Sequence, residues 1–140
     1  MIRLGFLLAA LLLAIVPARA ERVETIGDYQ VHYNAFPSAF LKPEVAQAYR
    51  LLRSRVQGVV TVSVLKHGVP VPARVSASAT NEVGQQKSIS LRQVRETHAI
   101  YQIGNVGANE GEVLRFVLEV LPEHESKPFT LRFSQQFFGD

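Results

Sequence analysis

Four histidines, nine serines and twelve carboxylates are the side chains with which this 140-residue chain could do chemistry. His32, His67, His98 and His124 lie far apart, and none forms the H-x-H or H-x-x-H pairing that a metal site uses to set two imidazoles side by side. That spacing favours histidines dispersed over strand faces and loops; a metal site would need folding to gather three of them with nearby carboxylates. With no Cys there is no thiolate chemistry, no disulfide and no lipid-bearing cysteine. The single Met is Met1, which leaves no thioether set for copper. None of the serines sits in a G-x-S-x-G elbow or an S-x-x-K motif. Glu110 with Glu112, and Glu123 with Glu125, fall in or beside loops, where solvated charge is the ordinary role of a carboxylate. Gly104, Gly107 and Gly111 do not make the G-x-G-x-x-G turn that cradles a phosphate. No cofactor is expected.

Two clusters point instead to binding. Tyr29, His32, Tyr33, Asn34 and Phe36 crowd one stretch, and tyrosine joins an apolar body to a polar tip, as binding grooves use it. The competing role for Tyr29, Tyr33, Phe36 and Phe40 is to complete the core and pin the segment that follows. Arg50, Arg53 and Arg55 form a local basic spot, either a solvated helix end or a seat for an anion or an acidic partner. The candidate binding surface is therefore Tyr29, His32, Tyr33, Asn34, Phe36, Arg50 and Arg53.

The elements that must position these residues begin after an address label. Met1–Ala20 carries Arg3, an apolar run over Leu4–Val16, Pro17, and the small residues Ala18 and Ala20 around Arg19. Thirteen residues fall short of the roughly 20 a spanning helix needs, so the pattern predicts a cleaved secretory signal and a mature chain 21–140. The whole chain is 47% hydrophobic with a net charge of +3. Without the leader it is about 42% apolar, with 13 basic and 12 acidic residues, an ordinary globular balance. A net of +1 does not suit a nucleic-acid partner.

The mature chain reads as strands divided by turns. Asp28–Phe36 alternates with period two, and Pro43–Leu52 is the one helical candidate, with Val45, Ala48, Tyr49 and Leu52 on its inward side. Further strands are predicted over Gly58–Leu65, Val71–Thr80 (a guarded edge, marked by Pro70 and Pro72), Lys87–Arg95, His98–Ile103, Glu112–Leu121 and Phe129–Phe137. Gly104–Gly111 is predicted as a loop. About seven strands with one short helix after the first long strand predict an all-β, antiparallel sandwich in a single domain; a closed barrel is the alternative.

The stretches DYQVHYNAFPSAFLKPEVAQAY (Asp28–Tyr49), VTVSVLKHGVPVPARVSASATN (Val60–Asn81) and PFTLRFSQQFF (Pro128–Phe138) resemble a small family of secreted proteobacterial proteins known as a domain of unknown function. The resemblance implies a periplasmic, immunoglobulin-like sandwich and brings no catalytic residue with it. Together these readings predict a non-enzymatic periplasmic domain that binds a protein partner or envelope component. The alternative is a small hydrolase or metal-dependent enzyme whose site is built from dispersed His and Glu residues.

Overall fold

Period-two runs of apolar residues become the inner faces of two antiparallel sheets in the computed structural model, which describes residues 22–138. The predicted signal, Met1–Ala20, lies outside the described residues. The strands are β1 (Arg22–Ile26), β2 (Tyr29–Pro37), β3 (Gln57–Lys66), β4 (Val69–Val71), β5 (Ala73–Thr80), β6 (Gln86–Ile89), β7 (Arg92–Arg95), β8 (Ile100–Gly107), β9 (Val113–Pro122) and β10 (Phe129–Gln136). One sheet runs β1-β2-β3-β8-β7, with β4 paired to the far end of β3; the other runs β10-β9-β5-β6. The protein is an antiparallel immunoglobulin-like β-sandwich, not a closed barrel.

Alternation decides which side chains meet between the sheets. Val31, Val60, Val62, Leu114, Phe116, Leu118 and Val120 are at most 1% exposed, and each contributes roughly 1.5–3 kcal/mol by leaving water. Tyr33 meets Phe133 with ring centroids 5.0 Å apart, and Phe133 stacks on Phe116 at 4.7 Å. Ser76 and Ser78 alternate with buried Ala77 and Ala79 and face solvent. The last strand turns its aromatic side inward: Leu131 and Phe137 are buried, with Phe129 and Phe133 packed against the same core.

The predicted strands Val71–Thr80 and Lys87–Arg95 begin two residues and one residue earlier than predicted, and each changes sheet midway. Val69–Thr80 breaks at Pro72: β4 pairs β3 in one sheet and β5 pairs β9 in the other. Gln86–Arg95 breaks at Ser90 and Leu91, so that β6 pairs β5 while β7 pairs β8. Proline lacks the N–H that would continue a ladder, which accounts for the first break. The second needs room, because a Cβ on Gly104 would lie 2.2 Å from the Ser90 carbonyl oxygen. Gly104 through Gly107, predicted as loop, therefore belongs to β8, where glycine permits a close backbone crossing. On the opposite side Arg22 of β1 reaches β10, donating to Ser134 O at 3.0 Å and lying 4.9 Å above the Phe133 ring.

Candidate functional site

Between β2 and β3 the chain leaves the sheet through a 3-10 turn (Ser38–Phe40) and one short helix, α1 (Pro43–Ala48). Pro43 occupies the first turn, where its missing N–H does no harm, and Glu44 suits the positive end of the helix. Six residues are too few for a helix to stand alone in water, so docking must hold it. Ala46 and Leu51 pack with Val59 and Ile103 on the outer face of the larger sheet, beside half-buried Phe36, Leu41, Tyr49 and Val94.

The helix is shorter than the predicted Pro43–Leu52; Tyr49 packs inward as predicted, but Ala46 and Leu51 are buried where Ala48 and Leu52 are expected. Arg50 adopts φ +55°, Leu51 N–H donates to Ala46 O at 2.8 Å, and Arg50 N–H donates to Gln47 O at 3.1 Å. This pattern is a Schellman stop, with Ala46 and Leu51 as its apolar pair. The left-handed turn at Arg50 rolls Leu51 inward and leaves Leu52 63% exposed; Ala48 is exposed as well. An L-residue other than glycine loses roughly 1–2 kcal/mol in that conformation.

From Arg50 to Val56 the chain is an irregular strap, yet its backbone is tightly held. The Asn105 amide accepts from Leu52 N–H at 2.8 Å and donates to Leu52 O at 2.9 Å. The buried Ser38 hydroxyl accepts from Ser54 N–H and donates to Ser54 O, both at 2.9 Å. Arg53 Nε donates to Leu41 O at 2.8 Å, tying the strap to the start of the helix. Side chains thus replace the ladder that an irregular segment lacks. Held this way, the strap turns Leu52 and Val56 outward, and Phe138 beside it is 60% exposed.

A cleft of about 240 Å³ opens here, lined on one side by Pro37, Ala39, Arg53, Ser54 and Arg55, and on the other by Asn109, Glu110, Phe137 and Phe138. Phe137 seats its ring on β3, where a Cβ on Gly58 would lie 2.5 Å from the ring.

The seven residues singled out from sequence do not form one surface. Tyr29 and Tyr33 face the core at 6% and 7% exposure, while His32, Asn34 and Phe36 point to the opposite face of β2. The Tyr29 hydroxyl donates to Glu125 at 2.8 Å, and that bond raises the phenol's pKa. Burial raises that of Tyr33. Phe36 supports the helix, and Asn34 accepts from Ala35 N–H. Arg50 and Arg53 belong to the strap. Sequence reading missed Ser38, Asn105, Leu52, Val56 and Phe138; the one local signal was an apolar pair, Leu51-Leu52, set among arginines.

His67, His98 and His124 lie in turns at the end of the sandwich away from the strap, and His32 lies on β2. Among the described residues, no three His, Asp or Glu side chains come together in a way that could hold a metal ion. Glu112 accepts from Lys87 at 2.9 Å, Asn81 at 3.0 Å and Asn109 N–H at 3.0 Å. Burial works to raise its pKa, but these bonds outweigh it and hold the carboxyl below its ordinary value. The Tyr49 hydroxyl donates to Glu96, which raises the phenol's pKa and fixes the helix end over β7 and β8. No described helix is long and apolar enough to cross a membrane.

Fold and site together define a two-sheet antiparallel sandwich whose outer face carries a clamped helix-and-strap insertion. Residues 23–140 match the model of the family described as a domain of unknown function, DUF4426, and the chain belongs to that family. A crystal structure of a DUF4426 family protein from Pseudomonas aeruginosa PAO1 is 37% identical, with a TM-score of 0.77 over 89% of this chain and 99% of that one. Two structures of FetP from uropathogenic Escherichia coli strain F11 are also similar. The copper-bound variant is 9% identical with a TM-score of 0.62, over 86% of this chain and 96% of that one. The as-isolated form is 10% identical with the same TM-score, over 86% and 95%. At such identities the likeness to FetP is one of fold. No curated protein matches significantly.

Proposed function

We propose that this chain is a non-enzymatic periplasmic domain that binds a protein partner through its strap. The observation that carries this reading is the strap itself. Ser38 and Asn105 hold its backbone rigid, while Leu52 and Val56 stay 63% and 53% exposed, and Phe138, 60% exposed, lines the cleft with Arg53, Ser54 and Arg55. Apolar side chains fixed outward on a pre-ordered segment lose little entropy on association, which is the arrangement a docking surface needs. The cleft, at about 240 Å³, falls below the roughly 300–1,000 Å³ of small-molecule sites and suits a partner's side chain better than a free metabolite. Export to the periplasm rests on the leader pattern of Met1–Ala20.

The reading is tested in cells with a photo-crosslinking amino acid at position 52 and, as a control, at Ser76 on the outer face of the smaller sheet. The expected result is release of the protein by osmotic shock and a reproducible protein adduct from position 52 alone. Equal labelling from both positions, or none from position 52, would sink it.

A further inference from the structure

Charge is unevenly spread over the molecule. Ala39–Gln57 carries Lys42, Arg50, Arg53 and Arg55 against Glu44 alone, a net of +3. The rest of 21–140 carries nine basic and eleven acidic residues, a net of −2. Among the described residues none of the three strap arginines has an ion-pair partner. Among the described residues Glu110, on the far lip, is the one carboxylate that lines the cleft.

Arg53 spends Nε on Leu41 O and Nη2 on Ala39 O, which fixes its guanidinium while leaving other N–H donors for a ligand. Arg50 occupies the left-handed position that glycine fills more easily, so its side chain is carried at a conformational disadvantage. Isolated guanidiniums beside exposed apolar side chains select a partner that brings carboxylates and apolar groups together.

We infer that the strap takes an acidic, apolar segment of a partner protein, with carboxylates on Arg50, Arg53 and Arg55 and one apolar side chain in the cleft beside Phe138. This rests on the docking role proposed above and adds the chemistry of what docks. Anionic lipid is the less suited occupant: membrane-binding segments typically gather about four to eight basic residues, and Ala39–Gln57 has four, one of them offset by Glu44.

The test uses the purified protein and three fluorescent peptides of one pattern, alternating Leu and Phe with Glu, with Gln or with Lys. Vesicles containing phosphatidylglycerol form a fourth arm. The Glu peptide is expected to bind about tenfold tighter than the Gln peptide, an advantage that shrinks between about 50 and 500 mM salt. Arg55→Glu should remove that advantage. Arg50→Gly should weaken the Glu peptide about threefold or more with no loss of thermal stability, which separates ligand contact from folding.

Equal binding of the Glu and Gln peptides, binding by vesicles alone, or binding by none of the four overturns the inference. If the Glu and Gln peptides bind equally and Leu52→Ser weakens both, the strap docks partners without regard to acid and only this inference fails. If no peptide binds and position 52 also gives no crosslink, the docking role fails with it.

Discussion

At Glu112 burial and hydrogen bonding pull the carboxyl in opposite directions, and hydrogen bonding prevails. A carboxyl held below its unfolded pKa stabilises the fold above the ordinary carboxylate range, and that contribution is lost as pH falls through the folded value. Glu112→Gln should therefore destabilise the protein at neutral pH by about 1–3 kcal/mol, since Lys87 and Asn81 lose an ionised acceptor. On acidification toward pH ~3 the two melting temperatures should converge. A gap of the same size at both ends of the titration would show that the charge contributes nothing. Part of this scale was legible in the sequence: a helix start at Pro43 and a basic spot at Arg50, Arg53 and Arg55. The Glu112 cluster was not, because Asn81, Lys87 and Glu112 meet only after β5, β6 and β9 are laid side by side.

Among the elements, alternation revealed the inner faces of β2, β5, β9 and β10, because a strand with one buried face must repeat every two residues. It could not reveal a change of sheet. Val71, Ala73 and Val75 keep the same period through Pro72, and Ile89 and Leu91 keep it through Ser90, since both faces of the crossing lead into one core. Gly104 was read as a loop signal when its role is steric. Gly104→Ala should lower stability by about 3 kcal/mol or more, because its methyl would strike the Ser90 backbone and not a flexible side chain. Gly107→Ala, on the same strand with nothing within 4 Å of the added carbon, is the matched control and should change the melting temperature little. Similar melting temperatures for both variants would mean that the crossing has slack. The short helix was predicted too long for a related reason: only the left-handed Arg50 shows where it stops, and arginine gives no such signal.

Across the whole molecule the two sheets meet on one side at the crossings of Pro72 and Ser90 and on the other at Arg22. Arg22 donates to Ser134 O and to Gln135, and lies over Phe133. Arg22→Ala should remove about 1–2 kcal/mol of stability by taking away both the hydrogen bonds and the cation–π contact. Urea titrations would register this as a lower midpoint with an unchanged slope, and an unchanged midpoint would assign the seam no stabilising role. The sandwich was legible from strand count and turn spacing. The strap's rigidity was not, since Leu52 and Asn105 are 53 positions apart in the chain. The crossings carry one more consequence, for how the protein comes apart. Because β4 runs straight into β5, and β6 into β7, each sheet owns strands whose continuation belongs to the other. Neither can peel away and leave its counterpart standing, so loss of either layer dissolves both, and the molecule unfolds as one cooperative unit.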